Sequence, residues 1–190
     1  MNKTSKNYKK NKYKKKNIIS NLNLDEESIK LNNIWVLWSH DLHNNNWDID
    51  SFNKIYEFNT INDFWRLYNN FNILGGLNKK NFFLMKKDIK PIWEDDKNKN
   101  GGTCSMKIPI TKSLDMWTDL SMYIIGNTFI DCKIKMDDIN GISICSKNIW
   151  SIIKIWNSNS DNDTSEELPN DFLKKFNKCS IKFKKNIPEY

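Results

Sequence analysis

Apolar and polar positions alternate with two different periods along this chain, and the change of period marks its elements. Residues 34–38, IWVLW, form a short apolar run rich in β-branched and aromatic side chains, which predicts a buried strand. FNKIYEF at 52–58 predicts a second. From Thr60 the period lengthens. Phe64, Leu67, Tyr68 and Phe71 recur at i, i+3, i+4 and i+7, the signature of a short amphipathic helix, with Thr60 and Asp63 placed as in a capping box. Gly75-Gly76 breaks that pattern. NFFLMKKDIKPIW reads as a strand, a turn and the entry to a loop, and TCSMKIPI at 103–110 as a further strand. A second helix is predicted over SLDMWTDLSMYIIGNTF, with Ser113 as its cap, Asp115 and Asp119 in its first turns and Gly126 at its end. GISICS and SIIKIW are two strands, LPNDFLKKFNKC a third, weaker helix, and SIKFK a last strand. This order predicts an α+β domain: a mostly antiparallel sheet with three helices on one face.

The first thirty residues carry no such periodicity. NKTSKNYKKNKYKKKN is dense in lysine and cannot bury enough apolar surface to fold alone, so residues 1–30 are expected to be a disordered basic tail ahead of one domain over 31–190. The whole chain has 190 residues and a formal net charge of +7, which favours an anionic partner such as nucleic acid. Overuse of Asn, Lys and Ile discounts basicity as evidence, because codon bias produces it. The eight tryptophans are harder to dismiss, although most are expected in the core. Cys104, Cys132, Cys145 and Cys179 form no CxxC pair and have no histidine near them, which argues for reduced thiols and against a zinc site. His40 and His43 fall in a polar, Asn-rich stretch and are expected in a solvated loop. No apolar run is long enough to span a membrane.

Chemistry concentrates in one segment, IKPIWEDDKNKNGG at 89–102. A carboxylate only accepts hydrogen bonds, so Glu94 cannot bind phosphate. It suits a base that presents two donors side by side, as guanine does with N1–H and its exocyclic amine. The adjacent Trp93 can stack on that base. If the base is cationic, the indole gains roughly 0.5–2 kcal/mol of cation–π attraction. The competing reading is an acidic loop neutralised by Lys97 and Lys99. Asp95 and Asp96 are expected to shape the loop or to be solvated.

The segment closely resembles the signature loop of the eukaryotic translation initiation factor 4E family, the messenger-RNA cap-binding proteins. FNTINDFWRLYNNF resembles the family's first helix with the strand end before it, LDMWTDLSMYIIGNTF its second helix, and GISICSKNIWSIIKIW its paired strands. The resemblance spans about 32–183, in order and at similar spacing. It implies a strongly curved antiparallel sheet with three helices on its convex face, and no enzymatic activity, metal or cofactor. Capped mRNA, and initiation factor 4G or a 4E-binding protein, are the implied partners of a cytoplasmic monomer. Trp47 and Trp93 would sandwich 7-methylguanine, Glu94 would accept its two donors, and Trp156 would contact the N7-methyl. Lys147, in place of the family's usual arginine, would hold the phosphates; Lys154, two residues from Trp156 and so on the same face of a strand, is expected to compensate for a missing second cation. Ile61, Trp65, Asp119 and Met122 would form the partner-binding surface, where Thr118 replaces a common leucine.

Departures from the family pattern fall on the phosphate side. Ile152 stands where a second basic residue is usual, and Thr103-Cys104 replaces the common Arg-Trp. The chain ends at Tyr190 soon after the last strand, so the family's longer C-terminal loop is expected to be missing. These departures imply reduced reliance on the triphosphate with base recognition intact. The 4E-homologous repressor is the alternative, since that branch also tolerates isoleucine at the position of Ile152. Its first sandwich residue is typically tyrosine, so Trp47 favours the initiation factor. A scaffold that has lost cap binding is the third reading. A general single-strand RNA binder would not need Glu94.

Overall fold

The computed structural model describes residues 28–77, 80–128, 135–165, 168–176 and 179–186. The basic tail up to residue 27, and Cys132, lie outside the described residues. Among the described residues seven strands form one sheet: β1 (Lys30–Asp41), β2 (Phe52–Thr60), β3 (Lys80–Lys86), β4 (Gly102–Pro109), β5 (Ile139–Ser146), β6 (Trp150–Asn157) and β7 (Ser180–Lys185). Their spatial order is β2-β1-β3-β5-β6-β4-β7, and every neighbouring pair is antiparallel. Register shifts interrupt the β1–β2 and β5–β6 ladders, and such bulges bend the strands that carry them. The sheet is curved, with three helices on one face: α1 (Ile61–Asn69), α2 (Ser113–Ile125) and α3 (Asn170–Lys175).

Alternation along each strand separates two apolar layers. Leu37, Leu84, Ile142, Ile153, Ile155 and Met106 face the helices and pack with Phe64, Trp117, Leu120 and Phe172 in the main core. Phe52, Phe83, Met85 and Trp156 face the other way and form a smaller cluster with Ile89. Trp35 and Trp117 are buried in the main core, as expected of packing residues, while Trp38 is half-buried against the smaller cluster.

The first helix starts as its sequence requires. The Thr60 hydroxyl accepts from the Asp63 N–H (3.1 Å), and Arg66 pairs with Asp63. The second departs from expectation at both ends. Ser113 is the first helical residue, and its hydroxyl is spent on Ser151 (2.7 Å) and the Pro109 carbonyl, because the preceding short turn delivers the backbone already helical at Lys112. At the far end Gly126 keeps a right-handed φ of −80°. It is Asn127, at +57°, that takes the left-handed conformation. The strand before the signature loop turns at Asp88, φ +67°, another short polar side chain tolerated there.

Candidate functional site

The concave face opposite the helices holds a cavity of about 430 Å³, within the usual range for small-ligand sites. Trp47, Trp93, Glu94, Lys154 and Trp156 all line it, so the fold gathers five positions spread over more than half the sequence. Phe52, Phe83 and Ile152 complete its apolar lining. Lys147 is not brought in. It lies exposed in the turn between β5 and β6, where its N–H donates to the Trp150 carbonyl (2.7 Å).

One wall is the loop between β3 and β4, held open by two side chains rather than by regular structure. The Asp95 carboxylate accepts from the Lys90 and Lys97 N–H groups (3.0 Å each), closing the loop on itself. Asn98, fully buried, donates to the Lys90 and Ile92 carbonyls (2.9 and 2.7 Å). Its own side-chain oxygen receives Asn140 (2.9 Å), which ties the loop to β5. Asp95 is therefore the loop-shaping acid. Asp96 is solvated and pairs with Lys99 (2.6 Å), which lowers its carboxyl below the ordinary range. With the backbone tied on both sides, Trp93 (45% exposed) and Glu94 project from the loop into the cavity lining. Asn98 was missed in the sequence because a buried asparagine in KNKN looks like its solvated neighbours.

The opposite wall corrects the reading of His40. It is fully buried at the end of β1, not in a solvated loop, because β1 runs through to Asp41. Its ring stacks on Trp47 with centroids 4.2 Å apart and planes 13° apart, and also touches Phe52. One ring nitrogen lies 2.7 Å from the Asn46 carbonyl, which also receives the Ser51 hydroxyl. His40 thus supports one face of Trp47, which remains half exposed (53%). His43 is exposed, as expected.

The floor is Trp156, 8% exposed. Its indole N–H donates to Ser143 (3.0 Å), and its ring meets Phe83 edge-on. Two residues earlier on the same face, Lys154 is half-buried, and desolvation lowers its ammonium pKa below the usual lysine range. Ile152 sits next along this face and contributes no charge. The cavity can therefore sandwich and read a flat base, with one ammonium at its rim for an anion.

On the helical face, Trp65 is 40% exposed and packs edge-on against Phe64, while Ile61 is half-buried one turn before it. Met122 of α2 is half-buried against the core. Asp119 forms an ion pair with Lys175 of α3, so its carboxylate is already engaged. Free thiols are present at Cys104, Cys145 and Cys179, and burial pushes Cys104 up to about 12.

Comparison with known proteins agrees with this geometry. The family model described as eukaryotic initiation factor 4E matches residues 30–188. Initiation factor 4E1 of Drosophila melanogaster is 31% identical over 138 residues, 70% of this chain but 51% of that protein. The human factor 4E is 31% identical over 137 residues, 70% of this chain and 62% of that protein. The matched segment thus spans about half to three-fifths of these relatives. Factor 4E-1B of Danio rerio is 32% identical over 160 residues, 80% of this chain and 73% of that protein. Among solved structures, Caenorhabditis elegans eIF4E-3 in complex with the 4E-binding protein Mextli and a cap analog superposes with a TM-score of 0.71 at 26% identity. That match covers 83% of this chain and 92% of that one. Ascaris suum eIF4E-3 with m7G cap gives the same score and identity over 85% and 93%. With the family model covering nearly the whole described domain and Trp47, Trp93, Glu94, Lys154 and Trp156 meeting in one cavity, the chain belongs to the eukaryotic initiation factor 4E family.

Proposed function

We propose that this chain is a cytoplasmic translation factor that binds the 7-methylguanosine cap of messenger RNA and, through its helical face, initiation factor 4G or a 4E-binding protein. The observation that carries this reading is the convergence of Trp47, Trp93, Glu94 and Trp156 on one concave cavity. The cap analog and m7G cap in the similar nematode structures support it, as does Mextli for the protein partner. The base enters between the two exposed indoles. Its positive charge, delocalised over the methylated ring, is stabilised by both π faces. Glu94 accepts the N1–H and exocyclic amine, while Trp156 closes the side carrying the methyl group. Lys154 meets the phosphate chain. Trp65 and Ile61 offer an apolar patch to a partner helix. This is binding without turnover, and a single copy carries both surfaces.

Tryptophan fluorescence during titration tests it. Quenching is expected with 7-methylguanosine triphosphate at far lower concentration than with GTP. Equal quenching by the two, or none, overturns the cap reading and leaves the scaffold reading.

Two expectations depend on details of the walls. Removing the ring under Trp47, as in His40→Ala, should weaken cap-analogue binding about two- to ten-fold, the usual worth of an aromatic stack. His40→Phe should restore it, and equal affinity in all three proteins would show that Trp47 needs no support. The second concerns pH. A bound phosphate favours charged Lys154, whose free-state pKa is lowered, so binding takes up a proton as pH rises through that depressed value. Affinity should therefore decline on the alkaline side below the ordinary lysine range. Lys154→Arg, charged throughout, should flatten this limb relative to wild type; identical profiles would remove Lys154 from the grip.

A further inference from the structure

The register of the sheet continues past the cavity in a direction the pocket residues do not explain. Ser143 on β5, Lys154 on β6, Ser105 on β4 and Lys182 on β7 stand directly opposite one another, one row across four strands. Cross-strand partners share a face, so the row lies on the concave side with Trp156 and Lys154. Strands lie about 4.8 Å apart, which places Lys182 roughly 10 Å beyond Lys154. In the next row, Lys107 of β4 lies opposite Ile152 and Ser180. Lys107 and Lys182 are both exposed, and the Lys107 ammonium rides 4.4 Å over the Trp150 ring. The four strands β4 to β7 contain no Asp or Glu, and no described carboxylate pairs with Lys107, Lys154 or Lys182. Asp161 pairs instead with Lys185, which alternation directs to the other face.

Lysines on an edge strand can serve only to discourage pairing with another chain. That accounts for Lys182, since β7 is at the edge, but not for Lys107 on β4, which has neighbours on both sides. Nor does it explain why Lys182 continues a row that begins at the cavity rim, with Lys107 one row along. Three ammonium groups interleaved with serine hydroxyls match a ligand with repeated anionic oxygens that enters at the pocket.

We propose that the concave face of β4 and β7, through Lys107 and Lys182, is a phosphate track that holds the ribose-phosphate backbone of the RNA leaving the pocket. This deepens the cap reading and rests on it. Charge missing on the phosphate side at Ile152 and Thr103 is thereby supplied by Lys107 on β4 and Lys182 on β7, where it meets phosphodiesters rather than the cap's own triphosphate.

The test compares the full wild-type chain with Lys107→Gln/Lys182→Gln, and with Lys185→Gln as the opposite-face control. The probes are 7-methylguanosine triphosphate, a short capped oligoribonucleotide and the same oligonucleotide uncapped. The double variant is expected to bind capped RNA several-fold more weakly. Its slope of log affinity against log salt should be shallower by about 1.4, roughly 0.7 for each lost phosphate contact. Its affinity for 7-methylguanosine triphosphate should equal wild type, and Lys185→Gln should resemble wild type on every probe. An unchanged affinity and slope for capped RNA overturns the track. So does an equal loss on 7-methylguanosine triphosphate, which would make these lysines part of the triphosphate grip. If wild type fails to bind 7-methylguanosine triphosphate, the cap reading falls, while the uncapped probe still decides whether Lys107 and Lys182 hold RNA.

Discussion

Replacing Glu94 with alanine is expected to lower affinity for 7-methylguanosine triphosphate about a hundred-fold or more and to erase the preference for guanine. Each hydrogen bond to a charged acceptor is worth about 1.5–3 kcal/mol, and in the proposed complex Glu94 accepts two from adjacent donors. At about 1.4 kcal/mol per factor of ten, losing both exceeds two decades. The penalty is asymmetric, because the base's donors would be desolvated between two indoles with nothing to receive them. Glu94→Gln should fare nearly as badly, since its amide presents a donor where an acceptor is required. Stability should not change: Glu94 is exposed and makes no hydrogen bond within the described residues, unlike Asp95 and Asn98 beside it. Titrating wild type and mutant with guanine and adenine analogues reads both effects together. Undiminished affinity in Glu94→Ala would mean that the base lies elsewhere in the cavity.

Gly101→Ala is expected to damage both fold and site. A Cβ at this position would lie 1.7 Å from the Asn157 carbonyl oxygen and 2.7 Å from its carbon. Both are backbone atoms at the end of β6, so no side-chain rotation relieves the clash. The Gly101 N–H is already given to Asn98 (2.9 Å), and its carbonyl receives the Asn186 N–H (2.9 Å), so the residue cannot slide away. Either β4 parts from β6 one residue beyond Trp156, or the loop carrying Trp93 and Glu94 shifts. Overpacking a well-fitted site costs about 1–3 kcal/mol, and the upper end is expected where backbone must move. A matching drop in the urea midpoint should accompany weakened cap-analogue binding. Gly76→Ala is the contrast: its Cβ would meet nothing within 4 Å, and only its φ of +66° resists substitution. A Gly101→Ala protein that unfolds no earlier than Gly76→Ala would contradict this account of Gly101.

The features of the site and its frame differ in how far they could be read from residues alone. The loop residues Trp93 and Glu94 were visible because their chemistry is adjacent in sequence: an indole beside an acceptor-only group in a basic chain. The helix from Ile61 was visible because Thr60 and Asp63 cap it locally and the apolar spacing is periodic. Asn98 and His40 were not. Each is a polar residue whose burial depends on a partner brought from elsewhere, Asn140 for one and Trp47 for the other. Lys147 was assigned through the family resemblance, yet the turn between β5 and β6 leaves it outside the cavity lining.

By itself the sequence determined the seven strands and three helices of the described residues and singled out Trp93 and Glu94 as neighbours with complementary chemistry. Strand alternation, helical period, capping and turn chemistry act over a few residues, and Trp93 and Glu94 are neighbours. Tertiary structure alone decided which strands pair, and so which side chains meet. Thr103, Trp156 and Lys184 share a row, as do Ser105, Lys154 and Lys182, through contacts between segments dozens of residues apart. Register is fixed by burying one whole face at once, and a slip of one residue would send every side chain of a strand to the opposite face. That cooperative choice put Trp47 against His40, Lys154 at the cavity rim and Lys182 in line with it. Only the alternation that puts Lys154 on the face of Trp156 was legible locally; the partners from other segments were not.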